Sequence, residues 1–250
     1  MTTTTPEDVL VYVPNLIGYG RVLCTLCSLT IMLIIDNNNN NGGDDGDKSS
    51  SSNLVLPYIA IVLYVSSFVG DLFDGMIARK LSQTSEFGGL LDMVTDRCST
   101  LGLLFVLGCT NYYTKLDNNY PLPIYKVSFL LLTLLDISSH WCQMYSTCKF
   151  NLHHKSESGN EGRHFLVRWF YQYYYFFGYL CVGAEFTYIL LYILPHLERH
   201  DNEFLYTVAK YALYGCLPGC IMKQAVNVMQ LVSACYAVAK HDADSKKKNK

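Results

Sequence analysis

The sequence contains few charged residues. Asp, Glu, Lys and Arg make up 16% of its 250 residues, whereas 50% of the residues are hydrophobic. Soluble globular domains usually carry about 25% charged residues. The net charge is only −2, and in a membrane protein the placement of charges is more informative than their sum. The composition predicts a chain embedded in lipid, with no nucleic-acid partner.

The sequence also lacks the cysteine pattern of a zinc site or a disulfide framework. It has ten cysteines, most of them inside apolar segments, and its one C-x-x-C pair, Cys24 and Cys27, has no second pair nearby. A structural zinc site needs four ligands. Cysteines in apolar segments usually behave as small hydrophobic residues. We therefore expect these cysteines to contribute to packing.

Long apolar segments take up most of the chain. A helix needs about 20 predominantly apolar residues to cross a bilayer. Six segments approach or exceed this length: Leu16 to Ile35, Leu54 to Phe73, Cys98 to Tyr113, Ile124 to Ser146, Phe170 to Leu194 and Phe204 to Ala239. They predict an all-α fold, a single domain over residues 1–250 built as a bundle of six transmembrane helices. Pro218 and Gly219 predict a kink in the last helix.

The basic residues divide unequally between the two sides of this topology. Lys and Arg collect in short cytosolic loops. One set of loops and the tail contains Arg79, Lys80, Arg97, Lys149, Lys155, Arg163, Arg168, Lys240, Lys246, Lys247, Lys248 and Lys250, and the other contains Lys48, Lys115, Lys126 and Arg199. The distribution predicts that both termini and the 79–97 region lie in the cytosol.

Two segments lie outside the apolar pattern. Residues 37–53 are rich in Asn, Gly, Asp and Ser and have no apolar period, which predicts a disordered loop. Residues 240–250 form a basic cytosolic tail, which is either solvated or attracted to anionic lipid. The last four residues, Lys247 to Lys250, resemble a dilysine retrieval signal and so predict the endoplasmic reticulum membrane.

Four aspartates lie where an apolar bundle should not have them. Asp71 and Asp74 end the second predicted helix, and Asp92 and Asp96 open the third. At about 100° per residue, each pair lies on one helical stripe, and two antiparallel helices can face these stripes toward each other. Converging carboxylates repel one another unless cations lie among them. Hard oxygen ligands without His or Cys favour Mg²⁺ or Mn²⁺.

A cation pathway is an alternative explanation of these acids. A single intramembrane aspartate can also join two helices by a hydrogen bond, and an ion transporter can carry cations past carboxylates. The transporter gives no account of Gly75, Ala78 and Arg79 beside the aspartates. The helix-joining role suits one isolated aspartate, with Gly and Ala letting helices approach closely, better than it suits four aspartates in two facing stripes. Two metal ions bound by shared carboxylates would instead suit a nucleotide pyrophosphate.

The spacing resembles the signature of the CDP-alcohol phosphatidyltransferase family. The full pattern, D-x2-D-G-x2-A-R-x8-G-x3-D-x3-D, is present as Asp71, Asp74, Gly75, Ala78, Arg79, Gly88, Asp92 and Asp96. The segments Val13 to Arg21, Leu91 to Cys98 and Asp136 to Trp141 are similar to the branch of the family that makes phosphatidylinositol in eukaryotes. The resemblance covers nearly the whole chain.

The resemblance implies an enzyme, a CDP-diacylglycerol-inositol 3-phosphatidyltransferase, that releases CMP. Asp71, Asp74 and Asp92 correspond to metal ligands, and Asp96 to a residue that both contacts metal and acts as general base. Gly75 and Arg79 correspond to contacts with CDP-diacylglycerol, and Ser85 lies where relatives carry Thr. The family further implies Mg²⁺ or Mn²⁺, a bilayer, a homodimer and a cytosolic active site. The same signature serves other acceptors, glycerol phosphate or serine, so these stay as alternatives.

The acceptor pocket is less well defined by the sequence. Asp136, Ser139 and His140 are polar residues on one predicted helix, and they either bind a polyol or join helices. Four further polar residues in apolar segments could line the cavity, without an assigned role: Asn15, Arg21, Glu185 and Lys223.

Overall fold

Seven α-helices make up almost all of the described chain. The structure is a computed structural model, and it describes residues 5–41, 52–110, 124–149, 174–199 and 202–248. The helices are α1 (Pro6–Leu10), α2 (Val13–Asn41), α3 (Ser52–Lys80), α4 (Glu86–Cys109), α5 (Ile124–Lys149), α6 (Tyr174–Arg199) and α7 (Glu203–Lys248). The described ranges contain no β-strand. The prediction of an all-α fold is confirmed.

Three of these helices are long and apolar enough to cross a membrane. The candidate spans in the described ranges are Val13–Asn38, Val55–Lys80 and Phe176–Glu198. They correspond to the first, second and fifth predicted segments. The count of six spans, like the cytosolic placement of the termini, stays a prediction.

Several predicted boundaries differ from those of the structure. Residues 37–41 continue α2 and residues 52–53 begin α3, so the helical part of the chain extends into both ends of the predicted loop. The rest of that loop lies outside the described residues. Helix α4 begins twelve residues before the apolar segment at Cys98, because Ser85 caps its polar first turn. Pro218 lies inside α7, which continues as one helix to Lys248.

The turn between α3 and α4 sets where the two signature helices end and begin. Ser82 has a left-handed backbone with φ of 54°. The N–H of Gln83 donates to the carbonyl of Ala78 at 2.9 Å, and the N–H of Ser82 donates to the carbonyl of Arg79 at 3.3 Å. This pair of bonds is a Schellman motif, which satisfies the last carbonyls of a helix. The side chain of Gln83 also accepts a hydrogen bond from the N–H of Val13, at 3.1 Å, so the turn is joined to the start of α2.

The chain divides into two compact units, Met1–Tyr125 and Lys126–Lys250. In the first unit, α2 packs against both α3 and α4. Glycines permit this close approach. A Cβ at Gly18 would lie 2.8 Å from the side chain of Leu91, and one at Gly70 would lie 2.9 Å from the side chain of Arg21. Small residues at such positions let helices in a membrane protein approach closely.

In the second unit, α6 packs against α7 through backbone contact. A Cβ at Gly183 would lie 3.3 Å from the carbonyl oxygen of Cys216 and 3.5 Å from the Cα of Gly219. The hydroxyl of Tyr179 donates to the carbonyl of Gly215 at 2.9 Å. Leu180 and Val226 are buried at this contact. The backbone atoms opposite Gly183 cannot move aside as a flexible side chain can, so this position requires a small residue.

We predict that Gly183→Leu lowers the stability of the protein by about 1–3 kcal/mol, because the added side chain forces α6 and α7 apart. Thermal unfolding of detergent-solubilised protein measures this loss. Gly178→Leu is the matched control on the same helix, since a Cβ at Gly178 meets nothing within 4 Å. Equal melting temperatures for the two variants would contradict a packing role for Gly183.

Candidate active site

The four signature aspartates converge on one guanidinium group, that of Arg21. Asp74 and Asp92 lie 2.6 and 2.9 Å from its Nη1 atom. Asp71 lies 2.9 Å from its Nη2 atom, and Asp96 is hydrogen-bonded to the same nitrogen. Helix α3 supplies the first pair of acids in the sequence and α4 the second pair, as the signature spacing predicted. The cation at the centre comes from a third helix, α2.

Within the cluster, the arginine side chain is buried, whereas Asp92 and Asp96 are accessible from outside. The side chain of Arg21 is 3% exposed, whereas those of Asp92 and Asp96 are 46% and 35% exposed. Asp74 is the most buried of the four acids. A ligand can therefore reach the carboxylates from the side that Asp92 and Asp96 border.

The position of Arg21 is fixed by the helices around it. Its Nε atom donates to the carbonyl oxygen of Ser67 at 3.2 Å, and its aliphatic stem lies against Gly70. The hydroxyl of Ser67 donates back to the carbonyl of Arg21 at 3.0 Å. Thr25 extends this network, with its hydroxyl 2.8 Å from that of Ser67 and 3.0 Å from that of Ser99. Helices α2, α3 and α4 are thus joined by hydrogen bonds one turn away from the acids.

The donor set fits a hard divalent cation. One carboxylate oxygen from each of Asp71, Asp74 and Asp92 lies within 4.8 Å of the others. The group contains no His or Cys ligand, and such oxygen-only sets suit Mg²⁺ and Mn²⁺. Four carboxylates also carry more negative charge than one guanidinium neutralises. Asp96, expected to contact metal as well, belongs to the cluster through its bond to Arg21.

The two signature glycines near the acids have different surroundings. A Cβ at Gly75 would meet only the Nη1 atom of Arg79, at 3.6 Å, so the space beside it is open. A Cβ at Gly88 would lie 3.0 Å from the Oδ1 atom of Asn15 and 3.2 Å from the hydroxyl of Ser85. Gly75 therefore leaves room for a ligand next to Arg79. Gly88 leaves room for a neighbouring helix.

Asn15 and Ser85, the two side chains that lie next to Gly88, each make a local hydrogen bond. Asn15 is 2% exposed, and its side-chain amide donates to the carbonyl of Val9 at 2.6 Å. The hydroxyl of Ser85 accepts from the N–H of Gly88 at 3.0 Å and caps α4. Capping uses the oxygen of this hydroxyl as an acceptor, while its hydrogen stays available for donation. The expected contact between Ser85 and a donor substrate stays a prediction.

The candidate acceptor residues lie in the second unit. Asp136 and Ser139 are buried, and the hydroxyl of Ser139 donates to the carbonyl of Asp136 at 3.0 Å. The Nδ1 atom of His140 lies 2.8 Å from the same carbonyl. In the same unit, Lys223 donates to the side-chain carbonyl of Asn227 at 2.6 Å. Both roles considered for the α5 residues, binding a polyol or joining helices, stay open.

Sequence reasoning noticed Arg21 but assigned it no role. The usable signal was a permanently charged side chain in the middle of an apolar helix, since such a residue needs a counter-charge nearby. Four acids and a permanently charged base in apolar segments were an indication that they meet. Nothing in their spacing along the chain brings α2 into the cluster, so the tertiary structure was needed to show it.

The fold and the cluster define a class of protein. Helices α2 and α3 are long and apolar enough to cross a membrane, and with α4 they surround an open group of carboxylates that suits a divalent metal. Metal-assisted phosphotransfer uses such a group. The family model for CDP-alcohol phosphatidyltransferases matches residues 11–195. The chain belongs to this family.

Curated relatives match the chain over nearly its full length. The chain is 34% identical to a CDP-diacylglycerol–inositol 3-phosphatidyltransferase of Saccharomyces cerevisiae, with 98% of this chain and 94% of the relative covered. A protein of the same name from Schizosaccharomyces pombe is 33% identical, with 96% and 94% covered. The human protein of that name is 30% identical, with 98% and 99% covered. No solved structure matches the chain.

We predict that Ser85→Ala lowers stability by about 1 kcal/mol, because α4 loses its N-cap, while Ser85→Thr keeps the cap and the stability. Thermal unfolding in detergent measures both. Unchanged stability of the alanine variant together with a raised KM for the lipid donor would instead assign Ser85 to substrate binding alone.

Proposed function

We propose that this protein transfers the phosphatidyl group of CDP-diacylglycerol to myo-inositol and releases CMP. The observation that carries the proposal is the convergence of Asp71, Asp74, Asp92 and Asp96, at the signature spacing, on one open site. The choice of inositol is supported by the relatives from fungi, plants and mammals, which share that name and match over nearly their whole length.

The four aspartates hold Mg²⁺ or Mn²⁺ in this proposal. A bound divalent metal supplies charge that polarises the donor pyrophosphate and balances the charge that develops on the leaving phosphate. Asp71, Asp74 and Asp92 have the close ligand atoms that such binding needs. Asp96 borders the open side, where it can contact both the metal and an incoming acceptor.

Asp96 is also the proposed general base. It takes the proton of an inositol hydroxyl, and the oxygen attacks the β-phosphorus that bears the diacylglycerol. The phosphorus–oxygen bond to CMP breaks, and CMP leaves with the electron pair of that bond. The residues around the site contribute chiefly by holding the reactants in line and by stabilising charge, as in other phosphoryl transfers.

Gly75 and Arg79 are the proposed contacts to the donor, with Ser85 as a further hydroxyl contact. The open space beside Gly75 and its position next to Arg79 support this role, because a guanidinium can bind a phosphate with two parallel hydrogen bonds. A larger residue at position 75 would take up that space.

The membrane arrangement is proposed as six transmembrane helices with both termini and the active site in the cytosol, in the endoplasmic reticulum membrane. The support is the excess of Lys and Arg on one side and the lysine-rich C-terminus. A homodimer is proposed from the family resemblance alone. Basic residues at the C-terminus also suit contact with anionic lipid headgroups.

Asp96→Asn is predicted to reduce CMP release by at least about 10²–10⁴-fold, because the amide cannot accept the proton of the acceptor hydroxyl. The assay uses purified protein in liposomes with CDP-diacylglycerol, inositol and Mn²⁺. Glu86→Gln, at an exposed position in the first turn of the same helix, is the control and should keep normal turnover. Turnover by Asp96→Asn that matches the control would sink the assignment.

The acceptor is tested by offering labelled inositol, glycerol phosphate and serine one at a time to the same liposomes. We expect phosphatidylinositol and CMP in equal amounts with inositol, and no lipid product with the other two alcohols. Product from glycerol phosphate or serine alone would retain the chemistry and reject the proposed acceptor. Cation flux without lipid product would favour a transporter instead.

A further inference from the structure

Arg21 has no part in the reaction as described so far, yet its guanidinium makes four hydrogen bonds and one further ion pair. Its Nη1 atom donates to Asp74 and Asp92, and its Nη2 atom donates to Asp96 and forms an ion pair with Asp71. Its Nε atom donates to the carbonyl of Ser67. A guanidinium has five donors in a rigid plane. Five acceptor groups from α3 and α4 surround that plane, four of them as hydrogen-bond partners and Asp71 as an ion-pair partner.

The guanidinium is also held where it is. The Cγ and Cδ atoms of Arg21 would lie 2.9 and 3.3 Å from a Cβ at position 70, so only glycine leaves a channel for this stem. The hydrogen bond from Nε to the carbonyl of Ser67 also orients the plane of the guanidinium. These contacts hold the side chain in the cluster. Any cation that enters must share the carboxylates with it.

We infer that Arg21 is a resident counter-cation, which keeps the four aspartates in their binding arrangement without metal and competes with divalent metal for their oxygens. This inference rests on the proposed metal site. In this role Arg21 is a positioning residue, because it acts through the aspartates.

Competition follows from the shared atoms. Metal binding to Asp74 and Asp92 requires oxygens that Nη1 now occupies, and binding to Asp71 and Asp96 requires those at Nη2. The wild-type site consequently binds metal less tightly than the bare carboxylates would. In return, the guanidinium reduces the repulsion among the four carboxylates when metal is absent. If Arg21 served only to hold the structure together, metal affinity would change in the opposite direction. Its removal would then loosen the cluster and weaken metal binding.

The test compares wild type with Arg21→Met and Arg21→Lys as full-length protein in detergent. Methionine keeps much of the stem without charge, and lysine keeps the charge with three donors instead of five. Mn²⁺ binding is measured directly by the loss of the free-ion electron paramagnetic resonance signal. Lys80→Met, which removes an exposed cation from the end of the same helix as Asp71 and Asp74, is the control.

We expect Arg21→Met to bind Mn²⁺ about tenfold more tightly than wild type, the change that about 1.4 kcal/mol of relieved competition produces. Arg21→Lys should lie between them, and Lys80→Met should stay close to wild type. Equal or weaker Mn²⁺ binding by both position-21 variants overturns the inference. If the methionine variant cannot be purified, Mn²⁺ binding by Arg21→Lys is compared with wild type alone. Tighter binding supports the inference, and equal or weaker binding overturns it.

Thermal unfolding provides a second readout. In the presence of a chelator, Arg21→Met should melt well below wild type, and saturating Mn²⁺ should remove most of that difference because metal replaces the missing charge. A difference that is the same with and without Mn²⁺ would make Arg21 merely structural and overturn the inference. Absence of Mn²⁺ binding by wild type and all variants would instead reject the proposed metal site, so the two failures are distinguishable.

Discussion

The interaction between Arg21 and the four aspartates organises the first unit of the protein. A charged side chain that is 3% exposed would be costly without partners, and four neighbouring carboxylates would repel one another without a cation. The guanidinium and the carboxylates stabilise each other electrostatically, and their ion pairs join α2 to α3 and α4. The interaction constrains the rest of the unit, because α2 must lie close enough to both other helices for one side chain to reach all four acids.

Close helix approach is the geometric counterpart of that constraint. Gly70 makes space for the stem of Arg21, Gly18 for Leu91, and Gly88 for Asn15. In lipid there is little hydrophobic gain from bringing helices together, so small residues and polar contacts stabilise the packing. The hydroxyl network of Thr25, Ser67 and Ser99 continues the same principle one turn deeper. The cap at Ser85 and the Schellman turn at Ser82 then fix where the acidic stripes begin and end.

Much of the active site was predictable because its chemistry is local in sequence. Asp71 and Asp74 share a helical stripe by their spacing, as do Asp92 and Asp96, and a short connection brings the stripes together. The helix of the first predicted span was also expected from its apolar length. The acceptor side was less predictable, because Asp136, Ser139 and His140 are polar residues whose neighbours on other helices decide whether they bind ligand or join helices. The boundaries of the loop at 37–53 were less predictable too, since helices can continue into polar sequence once they are nucleated.

The amino-acid sequence by itself determined the helical class of the protein, its family and the four acids of the site, because hydrophobic length and short-range helical periodicity are properties of the chain alone. Only the tertiary structure decided that Arg21 stands at the centre of those acids. It also showed that the two signature glycines have different surroundings: Gly75 lies beside open space, and Gly88 lies against Asn15 of α2. The physical reason is the same in both cases: the packing of α2 against α3 and α4 joins residues about 50 to 75 positions apart, and no local pattern records such a contact.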